Sequence, residues 1–229
     1  MAADQELRRK ALDLFTEANR YRYSYNFTWL GRPIIQYPQD IVAAQEIVWR
    51  VKPNLIVETG IAHGGSLIFW ASMLQLLGED GHVVGIDIDI RKENRVEIER
   101  HPLAPRITLL EGSSVDPQLV DEVRALAAGR RTMVVLDSNH SHAHVRKELE
   151  AYAPLVRSGS YLIVFDTVIE DLPADCFPDR PWGPGDNPKT ALADFLRHTD
   201  RFEVDAEIDA KLLLSVAPGG YLRCTKDPS

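Results

Sequence analysis

Asp137 and Asp166 each close an apolar run, Met133 to Leu136 and Tyr161 to Phe165, and His140 stands three residues beyond the first of them. Such runs read as buried strands, so both carboxylates fall at strand ends. Two carboxylates brought together repel unless a cation or a shared proton compensates, and Mg2+ or another hard divalent ion is a natural partner. An ion there can hold two substrate hydroxyls, lower the pKa of one and orient it for attack. His140, whose ordinary pKa lies near neutrality, can take the proton. The plain alternative is that one Asp caps the following helix while the other contacts solvent. The run His140, Ser141, His142, Ala143, His144 is a poor zinc site, because alternating histidines share a side only in a strand and a helix should start here. His142 and His144 therefore read as surface or helix-cap residues.

The stretch that must position these groups is Val51 to Gly65. Leu55, Ile56 and Val57 lead into Glu58 and Gly60, then His63, Gly64 and Gly65, and then the apolar series Leu67, Ile68, Trp70, Ala71 and Leu74. That is a buried strand, a tight turn and the start of a helix. Backbone N–H groups left unpaired at such a helix start, beside glycines that admit a close approach, are how nucleotide-like cofactors are held, although the same pattern also serves as a structural turn. A dinucleotide fingerprint needs Gly-x-Gly-x-x-Gly. Here Ile61 and Ala62 follow Gly60, so the second glycine is missing. The next strand, Val83 to Ile86, ends in Asp87, where a carboxylate meets ribose hydroxyls. A cofactor with an adenosine but no pyrophosphate fits both facts, and S-adenosylmethionine is the common one.

Further strands are read at Ile107 to Leu110, Met133 to Leu136 and Tyr161 to Phe165, separated by helices around Lys92 to Arg100, after Asp116 and Pro117, and through Val145, Leu149, Tyr152 and Leu155. This alternation predicts a doubly wound parallel α/β sheet with ligands beyond the carboxyl ends of its strands. Glu58, Asp87, Ser113, Asp137 and Asp166 all fall there. Ser113 and Ser114 can hydrogen-bond an adenine edge or simply form a turn. An amphipathic helix is expected over Gln5 to Arg20, then an aromatic, irregular cover from Tyr21 to Pro38, suited to lining a pocket or clasping the core. Asp40 reads as the N-cap of a helix through Val51. The proline-rich segment Thr167 to Pro188 has the length of a functional loop such as a lid. After a helix from Thr190 to His198, strands are read at Phe202 to Ile208 and Leu212 to Val216, the last continuing or ending at Tyr221 to Cys224.

With 229 residues, 45% of them hydrophobic, the chain suits one globular domain with a sizeable core. A net charge of −8 disfavours nucleic acid as a partner, since phosphate binding rests on clustered Lys and Arg. Two cysteines, Cys176 and Cys224, are too few for a disulfide framework, so a reducing cytoplasm is the simplest location. No stretch is long and apolar enough to span a bilayer, and the N-terminus lacks a signal-peptide pattern.

The series IVETGIAHGGSLIFW, VVGIDID, LLEGSS, VVLDSNHSHAHV and YLIVFDTVIEDLP resembles the cephalosporin hydroxylase-like family over roughly Trp29 to Ala217. Its better understood members are S-adenosylmethionine-dependent O-methyltransferases, including sugar methyltransferases that act on macrolides and on rhamnosyl groups of glycolipids. The resemblance implies a class I methyltransferase fold, Rossmann-like, with a seven-stranded sheet ending in an antiparallel hairpin, over residues 41–229, preceded by an extension over residues 1–40. It implies that Glu58, Gly60, Gly64 and Ser66 line the methionine side of the cofactor, that Asp87 binds ribose, and that Ser113 or Ser114 sits by the adenine. Asp137 and Asp166 match metal ligands and His140 matches the general base. The sugar enzymes tend to carry Glu-Asp after the fifth strand, where this chain has Phe165 and Asp166; Thr167 is then a candidate third ligand. The expected activity is Mg2+-dependent O-methylation of a vicinal diol, foremost a sugar hydroxyl on a glycoside or glycolipid, with a homo-oligomer as the expected assembly. A catechol-type or other small-molecule acceptor, or a non-catalytic cofactor-binding protein of the same fold, are the rivals. A dehydrogenase is disfavoured by Ala62.

Overall fold

The computed structural model describes residues 3–78 and 80–228. Helix α1 (Gln5–Asn19) is capped by Asp4, whose side chain accepts a hydrogen bond from the Leu7 N–H, and it buries Ala11 and Phe15. The aromatic cover that follows is more regular than its glycines and prolines suggest. Strands β1 (Phe27–Trp29) and β2 (Arg32–Ile34) pair antiparallel around Leu30 and Gly31, which both take positive φ. Two of its aromatics clasp the core: Tyr37 stacks on Phe15 with ring centres 4.6 Å apart, and Trp29 meets Phe69 edge-on at 5.0 Å, while Tyr21 and Tyr25 stay exposed.

Helix α2 (Pro38–Val51) starts two residues before the expected cap, because Pro38 supplies a preset φ at the first helical position. Asp40 is consequently inside the first turn, fully buried. Its carboxylate accepts hydrogen bonds from Ser215 Oγ (2.6 Å), Tyr221 OH (2.7 Å) and the Val216 N–H (2.9 Å). Burial pushes this carboxyl up to about 6, the three donors opposing the rise. A folded-state value above the unfolded one means that its contribution to stability is complete below about pH 4 and is lost as pH rises through about 6. Asp40→Asn is expected to remove this part of the pH dependence of urea unfolding. Because Asn keeps one acceptor oxygen where three donors converge on two, either the Val216 N–H or the Ser215 and Tyr221 hydroxyls lose their acceptor, and the variant should lose about 1–3 kcal/mol. An unchanged pH slope would refute this reading of Asp40.

The sheet follows from buried strands joined by helices: β3 (Leu55–Thr59), α3 (Gly65–Leu77), β4 (His82–Asp87), α4 (Lys92–Glu99), β5 (Ile107–Glu111), α5 (Pro117–Ala127), β6 (Thr132–Leu136), α6 (His142–Tyr152) and β7 (Tyr161–Val164). Helix α5 is capped by Asp116, as its sequence predicts. After β7 come α7 (Pro188–Arg197), β8 (Phe202–Val204), α8 (Ala206–Lys211) and β9 (Tyr221–Cys224). The strand order is β5-β4-β3-β6-β7-β9-β8, with β9 antiparallel to both β7 and β8. This is the class I methyltransferase arrangement expected above. Alternate strand residues face opposite layers: Ile56, Met133, Val135 and Ile163 pack with α2 and α3, while Val57, Val134, Leu136 and Leu162 pack with α5, α6 and α7.

The C-terminal reading needs correction. Residues 206–211 are helical and Leu212 to Val216 form no strand; the closing pair is β8 with β9. Asp205 explains the difference, since its side chain accepts from the Glu207 and Ile208 N–H groups and starts a helix where hydrophobic alternation suggests extension.

Candidate active site

The strand order reverses between β3 and β6, the position at which doubly wound sheets bind ligands. There the Asp137 N–H donates to Thr59 O (2.9 Å) and the Gly60 N–H to Ile86 O (2.7 Å), so the ends of β3, β4 and β6 are tied together. Gly60 has φ +89°, and a Cβ at this position would lie 1.9 Å from Asp137 O. The glycine turn is thus pressed against the strand end that carries the first acidic residue.

Asp137, His140 and Asp166 converge, each offering a ligand atom within 4.8 Å of the others. His140 Nε2 is 3.6 Å from Asp166 Oδ2, with those side chains 21% and 30% exposed. Asp166 follows Phe165 at the end of β7 in a left-handed conformation, φ +58°, a strained geometry for a non-glycine residue. The Asp137 carboxyl is held well above the usual carboxylate range, first by desolvation, then by the charge of Asp166, with Glu58 and Glu148 adding to it. The site is therefore short of positive charge. The two carboxylates offer oxygen donors of the kind that suits a hard divalent ion, and the imidazole beside them is left free to exchange a proton.

The remaining predicted residues divide by where their polar atoms are used. Asp87 Oδ2 accepts from the Ile61 (2.8 Å) and Ala62 (3.3 Å) N–H groups, and Oδ1 from the Asp89 N–H. It braces the glycine turn from the rim at which ribose is expected. Glu58 is fully buried and accepts from Ser66 Oγ (2.8 Å) and Trp70 Nε1 (3.0 Å). Burial lifts its carboxyl to about 7 against those two bonds. The Ser66 hydroxyl is thus directed to Glu58, and both sit beneath the turn. Gly64, φ +82°, is the N-cap of α3, and a Cβ would strike Ile98.

Ser114 is buried, and its hydroxyl donates to Glu148 Oε1 (2.5 Å) and lies 3.0 Å from His144 Nε2. Half-buried Ser113 is the serine left at the rim. Thr167, the candidate third metal ligand, is buried with its hydroxyl donating to Pro218 O (3.0 Å). The polar side chain that stands beside the two aspartates is His140.

Two residues escaped the sequence reading. Glu148, fully buried on α6, accepts from both Ser114 and Ser138, joining the ends of β5 and β6, and its Oε2 has no hydrogen-bond partner among the described residues. Its signal was a charge on the apolar stripe Val145, Leu149, Tyr152. His144 belongs to this buried network, 3.4 Å from Glu148 Oε1, and is not a plain surface residue. His142 bonds Thr190 Oγ1 (2.9 Å) through Nδ1. The second missed residue is Trp182, whose ring meets that of His140 edge-on with centres 5.0 Å apart.

Comparison with known proteins agrees with this fold. The family described as rhamnosyl O-methyltransferase/CmcI matches residues 21–225. A rhamnosyl O-methyltransferase of Mycobacterium tuberculosis is 28% identical over 198 residues, which are 85% of this chain and 77% of that one. One of Mycobacterium leprae is 28% identical over 148 residues, 64% of this chain and 62% of its own. Among solved structures, CmcI with SAH superimposes with a TM-score of 0.61 at 23% identity, covering 87% of this chain and 82% of that chain. The similarity extends to the sheet order and to its closing antiparallel strands.

Proposed function

This chain belongs to the rhamnosyl O-methyltransferase/CmcI family, a family of S-adenosylmethionine-dependent O-methyltransferases, and we propose that it methylates one hydroxyl of a vicinal diol on a sugar with the help of Mg2+. A rhamnosyl-type group of a glycoside or glycolipid is the acceptor that fits best. The observation that carries this reading is the convergence of Asp137, His140 and Asp166 beside the glycine turn. In support, mycobacterial relatives are named for rhamnosyl methylation, and one solved CmcI structure is described with Mg and SAM.

Asp137 and Asp166 would hold the ion, which when bound supplies positive charge to two adjacent acceptor oxygens and lowers the pKa of one. Their mutual repulsion is what makes the site receptive to it. His140 Nε2, next to Asp166 Oδ2, takes the proton of the attacking hydroxyl, the carboxylate stabilising the imidazolium that results. The turn from Gly60 to Gly64, with Asp87 and Ser113 at the neighbouring strand ends, would hold the methyl donor. Methyl transfer is an in-line displacement, so alignment of donor and acceptor across the β3 and β6 ends is the chain's main contribution.

The test is mass-spectrometric detection of a methylated product from methyl α-L-rhamnopyranoside and S-adenosylmethionine, with Mg2+ or with EDTA, and catechol as a parallel acceptor. Product from the rhamnoside that EDTA suppresses supports the proposal. Turnover of catechol alone would move the acceptor to the phenolic class, and metal-independent turnover would remove the ion from the mechanism.

A further inference from the structure

The segment between Asp171 and Pro188 carries two aromatic residues that the mechanism above does not use, and one of them touches the base. The Trp182 ring lies edge-on to His140, and Phe177 backs it with ring centres 5.1 Å apart. The exposed Arg180 guanidinium is 5.7 Å from the indole centre.

This arrangement is built, not incidental. Gly183 and Asp186 exchange backbone hydrogen bonds at 3.0 Å, making a small closed turn directly after Trp182. Glu170, just beyond β7, accepts from the Gly185 N–H (2.7 Å) and from the Asn187 amide. Asn187, fully buried, also donates to Gly183 O (2.9 Å). Asp186 accepts from the His142 N–H (2.7 Å) at the start of α6. The turn is therefore anchored to residues close in sequence to Asp166 and His140.

We infer that Trp182, backed by Phe177, is the platform against which the acceptor ring lies while its hydroxyls face Asp137, His140 and Asp166. Carboxylates and an imidazole can hold the hydroxyls of a diol, but they offer nothing to the C–H face of a sugar. An aromatic ring supplies that apolar surface with little conformational entropy to lose. The half-exposed indole beside the base is placed to do so, and the exposed Arg180, held over it by a surface cation–π contact, is readily displaced. The inference rests on the sugar methyltransferase reading and specifies which residue selects the acceptor.

The test is steady-state kinetics of Trp182→Ala and Trp182→Phe with methyl α-L-rhamnopyranoside, together with calorimetric affinities for S-adenosylmethionine and Mg2+. For Trp182→Ala we expect KM to rise about tenfold, kcat to change by less than about threefold, and both calorimetric affinities to stay as in the wild type; Trp182→Phe should recover most of the KM. The rhamnoside is expected to change the tryptophan fluorescence of the wild type and not that of Trp182→Phe, a readout that stands even if the Ala variant folds poorly. An unchanged KM in Trp182→Ala, or a fall in kcat with a displaced pH profile and unchanged KM, would overturn the platform, the latter pointing to a role exerted through His140. A wild type that methylates catechol and no glycoside would remove the sugar reading, and this inference with it.

Discussion

Replacing Asp137 by Asn will stabilise the metal-free protein while abolishing methyl transfer. In EDTA at pH 8 the variant should melt about 3–6 °C higher than the wild type, equivalent to about 1–2 kcal/mol for a chain of this size. The reason is that burial, Asp166, Glu58 and Glu148 all disfavour a negative charge at Asp137. The sign follows from the direction of the shift. A carboxyl with a raised folded-state pKa contributes stability that is complete below its unfolded value and is lost as pH rises through the folded value. The advantage of Asn therefore shrinks as the pH is lowered toward the ordinary aspartate range. Saturating Mg2+ should reverse the order, since an ion that binds only the folded wild type at a hundred times its Kd adds about 2.7 kcal/mol, and the variant should gain little. Turnover should fall at least about a hundredfold, because a lost cation contact to a reacting oxygen costs several kcal/mol of transition-state stabilisation. Thermal melts at two pH values, each in EDTA and in Mg2+, check the stability parts, and a methyl-transfer assay checks the turnover. A variant less stable than wild type in EDTA, or still stabilised by Mg2+, would sink this account of the site.

The acidic rim was legible because a parallel strand buried on both faces writes itself as an apolar run, and the first polar residue after it marks the rim. Met133 to Leu136 before Asp137 is such a case, whereas Glu58, expected at the rim, stands inside β3 and is fully buried. What local pattern could not reveal is the partner of a polar atom when that partner is distant in the chain. Asp40 reads as a cap because Asp before an apolar stripe usually is one, yet its carboxylate is used by Ser215, Val216 and Tyr221. Ser114 and Thr167 stand at strand ends like ligand-binding residues, and their hydroxyls go to Glu148 and Pro218 instead. Trp182 lies in a segment whose prolines announce a loop and nothing more; only the anchoring of that loop by Glu170 and Asp186 brings the indole to His140. The short closing strands carried too few residues for a period to show, and the Asp205 cap decided the helix between them.

Gly60→Ala is expected to cost about 3–5 kcal/mol and to disable cofactor and metal binding together. Two separate penalties add here. The residue has φ +89°, which L side chains rarely adopt, and a Cβ would meet Asp137 O at 1.9 Å, Asp137 C at 2.6 Å and Ser138 Cα at 3.0 Å. All three obstacles are backbone, so no rotamer change relieves them. Relief requires the ends of β3 and β6 to part, against the hydrogen bonds from the Asp137 N–H to Thr59 and from the Gly60 N–H to Ile86. Parting them shifts Asp137 relative to the glycine turn, and a displacement of about 1 Å in a positioned reacting group already costs about a hundredfold in rate. Gly129→Ala is the matched control: φ is +72° and a Cβ there would have nothing within 4 Å, so it carries the conformational penalty alone, about 1–2 kcal/mol. Urea unfolding of the two variants separates clash from conformation, and calorimetry with S-adenosylmethionine and with Mg2+ reads the site. Equal stability losses in the two, or wild-type affinity for either ligand in Gly60→Ala, would show that the glycine turn and the Asp137 strand end do not act as one unit.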